Sequence, residues 1–502
     1  MDISKAFDKV WHAGLIFKLK RHGVNGNMLN ILSSFLADRT QRVTINGKFS
    51  PWSNISAGVP QGSVLGPLLF LIYINDLAEA VDSEIRIFAD DTFIFHIVTD
   101  PTQSTLILNN ELSKIASWAH QWKMSFNPDI TKQAVEVIFS NKRTKHVYAP
   151  LTFNGIPVKT VNETQHLGLF LDSKLSFVTH TNDKLAKANQ GIGLMKQLFA
   201  YLPRPTLEQI YKLYVRPHLD YGDVIYHIPD KDSSDFSSPN TSVNPLMDRI
   251  ESIQYNAARV TSGAWKGTSR DKLYSDLGWE SLYHRRNARR LIMLYDIMNS
   301  RTSLYLNEII DKCKSKTNVR QLEKKCILPM HCRTKRFLVS FFPSTIKLWN
   351  NLDLETKNSK SLPIFKKSLL KKIRPKKKDY FGIDDKDGTR LITLLRLGLS
   401  PLKKHKFDHN FKDTVSPVCL TGDGIENTEH FLLLCSSYAI ARTNLLQRVS
   451  SLSNMNINVL PRKRIVDILL YGDKSLTSDI NQLILKESIS YIKSTGCLEK
   501  FF

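Results

Sequence analysis

Two adjacent aspartates, Asp90 and Asp91, interrupt an apolar, strand-like segment that runs from Ile85 to Ile97. An ordinary hairpin turn would explain them, because Asp is favoured in turns. Adjacent carboxylates repel each other, however, and a divalent cation stabilises a compact acidic turn. Asp2 could supply another carboxylate from a neighbouring strand, and three carboxylates are what a two-metal phosphoryl-transfer site requires.

The charge balance narrows the class of partner. The 502 residues carry 70 Lys and Arg against 47 Asp and Glu, a formal net charge of +23. Such an excess favours a polyanion, either nucleic acid or an anionic membrane surface, over a merely soluble basic protein. The most apolar run, Val64 to Ile74, is about half of the ~20 residues that a membrane span needs, so it predicts buried core. The six cysteines all follow residue 312, which fits a reducing compartment better than a disulfide scaffold.

Local patterns predict an α+β domain with an antiparallel sheet, followed by helices. Asn46-Gly47 indicates a hairpin turn, and a stripe of apolar residues from Leu108 to Trp122 indicates an amphipathic helix. Residues 134–139 are typical of another strand. Residues 181–222 and the chain from Leu246 to about Ser300 have helical periodicity, and the Ser-, Asn- and Pro-rich stretch 231–245 predicts a flexible linker.

A third feature is the loop around Pro60-Gln61-Gly62, which precedes Gly66-Pro67 and an apolar run. It predicts a loop that enters a buried helix, and its glycines would let the backbone approach a ligand closely. A plain helix-entry loop is the simpler alternative.

The three segments taken in order, Asp2 to Asp8, Ser56 to Pro67 and Phe88 to Thr92, closely resemble the reverse transcriptase palm of non-LTR (LINE-type, jockey-like) retrotransposons. The resemblance continues, more loosely after about residue 225, in further segments: Trp122 to Asn127 with Lys132, His166 to Asp172, Tyr214 to Gly222, Phe341 to Asp353 and Arg396 to Leu399.

The resemblance implies a right-hand polymerase fold. Residues 1–145 would form the palm with partial fingers at about 24–55, and residues 146–230 the primer grip and a helical thumb. After the linker at 231–245, residues 246–400 would be a helical C-terminal region, and residues 401–502 would carry a candidate degenerate zinc knuckle.

The resemblance also implies roles for individual residues. Asp2, Asp90 and Asp91 would bind two Mg²⁺ ions, and Lys132 would donate a proton to the leaving pyrophosphate. Phe7 would exclude a ribose 2′-hydroxyl by steric clash, although a core Phe is the alternative. The remaining assignments are Gln61 and Gly62 along the template and incoming nucleotide, and Leu169 and Phe170 at the primer terminus, unless these last two are core residues.

A second metal cluster is suggested by Cys419, His430 and Cys435. Related elements carry a Cys-x-Cys, His-x4-Cys knuckle here, but Thr421 stands at the second cysteine position. Three ligands are one short of a closed zinc site, so either Asp423 or a water would complete it. Packing of Cys435 and His430 within a helical region is the alternative.

The roles of two basic segments remain open. Arg285 to Arg290 would hold RNA phosphates or form a solvated helix face. The run from Lys366 to Lys378 would be a nucleic-acid patch, a nuclear localisation signal or a soluble face.

The sequence thus predicts an RNA-directed DNA polymerase that extends a DNA 3′-hydroxyl on an RNA template with deoxynucleoside triphosphates, without a membrane partner. The alternatives are a catalytically dead nucleic-acid-binding remnant and a group II intron-like maturase. Because the family's upstream fingers and endonuclease are not found before Asp2, we expect an N-terminally truncated copy with weak or no activity in isolation. Localisation is expected in the nucleus, the cytoplasm or both, and not in the secreted fraction.

Overall fold

The computed structural model describes residues 1–127, 134–140, 148–229, 244–314, 326–375 and 383–498. The chain divides into two compact units, Met1–His180 and Thr181–Phe502. This division is coarser than the predicted five segments, whose boundaries stay predictions. Residues 231–243, most of the predicted linker, and Lys132 lie outside the described residues.

The first unit combines helices with small sheets. Its helices are a 3₁₀ turn at Ala6–Lys9, α1 (His12–Arg21), α2 (Gly26–Leu36), α3 (Leu65–Ile74), a 3₁₀ turn at Asn75–Ala80 and α4 (Pro101–Gln121). Its strands are β1 (Thr40–Gln41), β2 (Thr44–Ile45), β3 (Lys48–Phe49), β4 (Ser53–Asn54), β5 (Glu84–Phe88), β6 (Asp91–Phe95), β7 (Val135–Glu136), β8 (Thr152–Phe153), β9 (Ile156–Pro157), β10 (Lys159–Thr160), β11 (Glu163–His166) and β12 (Leu169–Asp172).

Strands pair two by two among the described residues, and most pairs are antiparallel: β1 with β4, β2 with β3, β5 with β6, β8 with β9 and β11 with β12. The exception is β7, which pairs in parallel with β10. The predicted α+β class with antiparallel pairing is therefore confirmed at this level. The strand predicted over 134–139 is shorter than expected, since only Val135–Glu136 pairs.

Local signals explain where the main elements begin and turn. The Asp100 side chain accepts a hydrogen bond from the Gln103 amide at the start of α4, and Pro101 occupies its first turn. The predicted stripe of α4 buries Leu112, Ile115 and Ala119. Asn46 and Gly47 both have positive φ, 49° and 77°, between β2 and β3, which confirms the predicted hairpin.

The run Val64 to Ile74 is buried only in part. Phe70 and Tyr73 lie fully in the core of the first unit, but Val64 is 94% exposed and Leu68 and Leu71 are about half exposed. The predicted core position is thus confirmed for one face of α3, while its other face stays outside the core of its unit. Among the residues that the structure describes, no helix combines the length and the hydrophobicity needed to cross a bilayer.

The described elements of the second unit are helical. They are α5 (Val178–Leu198), which begins just before the unit boundary, α6 (Arg204–Ile210), a π turn at Tyr211–Val215, α7 (Arg216–Asp220), α8 (Asp223–Tyr226), α9 (Pro245–Ser262), α10 (Arg270–Leu277), α11 (Leu282–Met298), α12 (Leu304–Lys314), α13 (Lys335–Val339) and α14 (Phe341–Asn350). They continue with α15 (Leu354–Lys357), α16 (Leu362–Ile373), α17 (Lys386–Leu397), α18 (Lys403–Asp408), a π turn at His430–Leu434, a 3₁₀ turn at Ser436–Tyr438, α19 (Ala439–Ser453), a 3₁₀ turn at Ile457–Val459, α20 (Arg462–Tyr471) and α21 (Ser478–Ser494). The helical prediction for 181–222 is confirmed.

Candidate active site

Asp2 lies in an extended segment with hydrogen-bonded neighbours on both sides. On one side, the Met1 amino group donates to the Thr92 carbonyl at 2.9 Å, and the Thr92 amide donates to the Met1 carbonyl at 3.2 Å. On the other side, the Asn127 amide donates to the Asp2 carbonyl at 3.0 Å, and Ile3 bridges Phe126. This pairing places Asp2 beside the first residues of β6, as the sequence predicted.

Asp90 and Asp91 occupy the tip of the β5–β6 hairpin. Phe88 pairs with Asp91, so Ala89 and Asp90 form a two-residue turn. Ala89 has a φ of 51°, a left-handed conformation that is unfavourable for a residue with a Cβ atom. Strained backbone of this kind is common at functional sites. The turn sets Asp90 at the apex and Asp91 at the first position of β6.

Backbone pairing and charge place the three carboxylates in one neighbourhood. The pKa of Asp90 is raised, first by partial burial and then by the negative charges of Asp91 and Asp2. Burial lowers the pKa of the Met1 amino group, and the charges of Asp91 and Asp2 oppose that shift. Three half-buried carboxylates in one neighbourhood offer oxygen donors of the kind that a hard divalent cation such as Mg²⁺ prefers.

Asn127 is a site residue to which the sequence assigned no individual role. Its side-chain amide donates to the Asp2 carboxylate at 3.0 Å, while its backbone amide pairs with the Asp2 carbonyl. Two hydrogen bonds therefore fix both the backbone and the carboxylate of Asp2. The segment Trp122 to Asn127 carried a family motif, but nothing local in it indicated a partner 125 residues away.

The loop before α3 packs tightly on the 3₁₀ turn that follows Asp2. The amides of Gly58 and Val59 donate to the carbonyls of Val10 and Phe7, each at 2.8 Å. Gly58 has a φ of 97°, and a Cβ atom there would lie 2.9 Å from the Asp8 carbonyl oxygen. Glycine at this position is therefore required by close backbone packing.

The predicted nucleotide-binding residues Gln61 and Gly62 lie on the exposed part of this loop. The Gln61 side-chain amide donates to the Asp8 carboxylate at 3.0 Å. Gly62 has a φ of 81°, and a Cβ atom there would meet no other atom within 4 Å. The open space beside Gly62 is compatible with the close approach of a ligand, and the nucleotide-binding role of both residues stays a prediction.

Phe7 is anchored by a second aromatic ring. Its ring stacks on that of the fully buried Phe70, with centroids 4.7 Å apart and an angle of 23° between the ring planes. Phe7 itself is only partly buried. It therefore packs against the core and also exposes part of its side chain next to the Asp2 segment. Its role in excluding ribonucleotides stays a prediction.

The β11–β12 hairpin approaches the β5–β6 hairpin through an aromatic contact. The rings of Phe93 in β6 and His166 in β11 have centroids 5.2 Å apart. At the turn between β11 and β12, Leu167 and Gly168 both have positive φ. Leu169 is 7% exposed and Phe170 is partly buried. Leu169 is therefore a core residue, and the primer-binding role of both residues stays a prediction. The sequence did not predict the contact between Phe93 and His166.

The Asp172 side chain stabilises the turn that follows this hairpin. Its carboxylate accepts hydrogen bonds from the amides of Lys174, Ser176 and Phe177 and from the Ser176 hydroxyl. Burial would raise the pKa of Asp172, but these hydrogen bonds outweigh burial and lower it. The turn between β12 and α5 therefore depends on one ionised side chain.

The solvated-face interpretation of Arg285 to Arg290 is wrong for the two buried arginines, and the RNA-phosphate interpretation stays a prediction. Arg286 and Arg290 are 1% and 0% exposed, so this side of α11 is not a solvated face. Arg285 and Arg289 form ion pairs with acidic residues of the same unit. Their charges are neutralised within the fold, and RNA phosphates would have to compete with carboxylates that are already in place.

The run from Lys366 to Lys378 begins in α16 and ends outside the described residues. In α16, Phe365, Leu369 and Ile373 are buried, while Lys366, Lys367 and Lys371 are exposed. Arg374 forms an ion pair with Glu280, and residues 376–378 lie outside the described residues. The three interpretations of the exposed lysines stay open.

The second predicted metal cluster comes together within the second unit. Ligand atoms of Cys419, Asp423, His430 and Cys435 all lie within 4.8 Å of one another. Of the two completions that the sequence left open, the structure places the Asp423 carboxylate beside the other three residues. Hydrogen bonds from Thr421 and Ser436 keep the pKa of Asp423 below its usual range.

Comparison with known proteins agrees with this geometry. Residues 1–169 match the family described as reverse transcriptase (RNA-dependent DNA polymerase). The chain is 31% identical over 285 residues to the RNA-directed DNA polymerase from mobile element jockey of Drosophila melanogaster, an alignment that covers 54% of the chain and 29% of that relative. It is 26% identical over 313 residues to the probable RNA-directed DNA polymerase from transposon X-element of the same organism, covering 61% of the chain and 31% of the relative.

A third relative is the probable RNA-directed DNA polymerase from transposon BS of Drosophila melanogaster, which is 29% identical over 272 residues, 52% of the chain and 29% of the relative. The chain thus spans about three tenths of the length of these curated relatives. The predicted resemblance is confirmed: residues 1–169 match the reverse transcriptase family, and the relatives are RNA-directed DNA polymerases of jockey and other mobile elements.

Proposed function

We propose that this chain provides the polymerase centre of a jockey-like non-LTR retrotransposon and extends a DNA 3′-hydroxyl on an RNA template. The observation that carries the proposal is the backbone pairing that sets Asp2 beside Asp91 and the Asp90 turn, within the segment that matches the reverse transcriptase family. The net charge of +23 supports a nucleic-acid partner. Deoxynucleoside triphosphates would be the second substrate, and we place the protein in the nucleus, the cytoplasm or both.

The three carboxylates would hold two Mg²⁺ ions, which, when bound, lower the pKa of the 3′-hydroxyl and neutralise the leaving pyrophosphate. The chain's own residues position these carboxylates. Asn127 orients the Asp2 carboxylate, and the β5–β6 turn fixes the spacing of Asp90 and Asp91. Phe7, held on Phe70, would discriminate against ribonucleotides, and Lys132 would protonate the pyrophosphate.

In polymerase terms, the first unit would be the palm with part of the fingers. The exposed strands β1 to β4 would belong to the fingers. The β11–β12 hairpin would support the primer terminus, and the helices α5 to α7 would form the thumb. The contact between Phe93 and His166 supports this arrangement, because it brings the proposed primer grip beside the β5–β6 hairpin.

The test is primer extension on an RNA template with Mg²⁺ and deoxynucleotides, comparing the wild-type chain with Asp90→Asn, Asp91→Asn. We expect slow but measurable synthesis by the wild type and a loss of roughly 100-fold or more in the variant, since metal-ion catalysis is worth several kcal/mol. The matched control is Glu79→Gln, an exposed acidic residue of the same unit, which should leave synthesis unchanged.

Loss of activity through the Asp90 change would not reflect unfolding. Because the folded state raises the pKa of Asp90, ionisation of this residue opposes folding above its ordinary pKa, and Asn should not destabilise the chain. DNA synthesis by the folded double variant at the wild-type rate would refute the metal site. RNA binding without synthesis by the wild type would indicate a remnant without turnover, and faster intron splicing without DNA synthesis would indicate a maturase.

A further inference from the structure

The cluster near the C-terminus is built from a tight loop and a helical turn. The Cys419 amide donates to the Gly424 carbonyl at 2.8 Å, and the Gly422 amide donates to the Cys419 carbonyl at 3.0 Å. His430 and Cys435 lie at the start and just after the end of the π turn, where the Cys435 amide donates to the His430 carbonyl at 2.8 Å. The loop therefore presents Cys419 and Asp423, and the turn presents His430 and Cys435.

Two distances within the cluster are close to those expected around one tetrahedral ion. The sulfur atoms of Cys419 and Cys435 are 3.7 Å apart. Two sulfurs bound ~2.3 Å from a tetrahedral zinc ion would be separated by ~3.75 Å. His430 Nε2 lies 3.5 Å from Asp423 Oδ1, and nitrogen and oxygen ligands at ~2.0–2.1 Å would be separated by roughly 3.3 Å.

An independent observation concerns His430. The residue is 4% exposed, and its Nε2 atom has no hydrogen-bond partner among the residues that the structure describes. A buried polar nitrogen without a partner costs about 1–3 kcal/mol. This nitrogen points into the cluster, toward Asp423, where a bound cation would satisfy it.

We infer that Cys419, Asp423, His430 and Cys435 bind one Zn²⁺ ion, with the Asp423 carboxylate as the fourth ligand. The alternative completion by a water molecule would leave one position open, whereas four protein ligands make a closed, structural site. This site lies in the second unit and does not depend on the proposed polymerase activity.

The surroundings of Asp423 explain how a carboxylate serves in this position. The Thr421 hydroxyl donates to one oxygen of Asp423, and the Ser436 amide donates to the other at 2.9 Å. Thr421 thus stands where related elements have a cysteine, but it orients the replacement ligand. Such hydrogen bonds around a metal site fix ligand geometry and raise affinity.

The ion would tie the loop 417–426 to the C-terminal helices. Arg442 in α19 donates to the Cys435 carbonyl at 2.9 Å, and Tyr491 in α21 donates to the Phe431 carbonyl at 2.8 Å. Because these contacts hold the π turn between the helices, zinc binding should stabilise this part of the second unit by coupling binding to folding.

The first experiment measures zinc content and affinity of the full chain in reducing buffer. We expect one Zn²⁺ per chain, a Co²⁺-substituted form with the intense visible absorption of a tetrahedral thiolate site, and a roughly 10-fold or greater loss of Zn²⁺ affinity in Asp423→Asn. The controls Asp413→Asn and Cys313→Ser change an exposed acid and a cysteine outside the cluster, and they should keep wild-type affinity.

A rescue variant separates ligation from folding. Because the Thr421 hydroxyl lies 3.3 Å from Cys419 Sγ, the double variant Asp423→Asn, Thr421→Cys should recover zinc affinity to within a few-fold of the wild type and intensify the sulfur-to-cobalt absorption. The inference is overturned if the folded wild type retains no zinc, if Asp423→Asn binds zinc as the wild type does, or if Cys419 and Cys435 form a disulfide in reducing buffer.

Discussion

Replacing Glu280 by Gln should destabilise the second unit while leaving its shape nearly unchanged. Glu280 is 8% exposed and joins two arginines from distant parts of the chain. Its carboxylate accepts from Arg285 at 2.9 Å and from Arg374 at 2.9 and 3.1 Å. Arg285 in turn donates to Asp220 from two of its nitrogens. Glu280 is therefore one of the carboxylates that neutralise the arginines of α11.

The size of the effect follows from the pKa of Glu280. Burial alone would raise this pKa, but the hydrogen bonds and charge of Arg374 and the charge of Arg285 lower it from 4.5 to about 2. At about 1.4 kcal/mol per pH unit, the ionised carboxylate stabilises the fold by about 3 kcal/mol. A depressed pKa means that this contribution is complete above pH 4.5 and is lost as the pH falls through about 2.

The assay is urea unfolding of the full chain, followed by the helical circular dichroism signal. At pH 7 the midpoint of Glu280→Gln should fall by about 1 M, for a dependence of roughly 3 kcal/mol per M. At pH 3 the difference in free energy of unfolding should shrink to about 1 kcal/mol. Glu308→Gln, at an exposed position of α12, is the matched control and should unfold as the wild type does.

An unchanged midpoint at pH 7 together with tighter RNA binding by Glu280→Gln would refute this reasoning. That result would mean that the arginines of α11 are available to phosphate and that the ion pairs contribute little to stability. A deficit of equal size at pH 7 and pH 3 would also contradict the prediction, because it would show that the charge of Glu280 is not the cause.

Three smaller changes test the backbone around the proposed polymerase site. Gly58→Ala should lower the free energy of unfolding by roughly 2 kcal/mol or more, because its Cβ would meet the Asp8 backbone, whereas Gly62→Ala carries a similar φ without that clash; equal thermal stability of the two variants would contradict the packing argument. Ala89→Gly should raise stability by roughly 0.5 kcal/mol by relieving the left-handed conformation, and a clear loss in thermal unfolding would count against strain at this turn. Asp172→Ala should cost about 2 kcal/mol at pH 7 through the loss of its hydrogen bonds. Since the pKa of Asp172 is depressed, this deficit should shrink as the pH falls below 3.8, and a pH-independent deficit in thermal unfolding would argue against the ionised cap.

Local features of the fold followed from the sequence alone. The Asn46-Gly47 turn and the apolar stripe of α4 were predicted because backbone preference and hydrophobic periodicity act over a few residues. The order and spacing of the three motifs also identified the family before any geometry was known. Such short-range signals are carried by neighbouring residues and do not need the rest of the chain.

Only the tertiary structure decided which distant groups meet. Met1 pairs with Thr92, Phe93 contacts His166, and Asp423 joins the cysteine and histidine ligands. The same holds for the arginines of α11, whose acidic partners the sequence pattern did not reveal. A charged or polar side chain has the same local preference whether its partner is solvent, ligand or another residue, so its role depends on which groups long-range packing brings within a few ångströms of it.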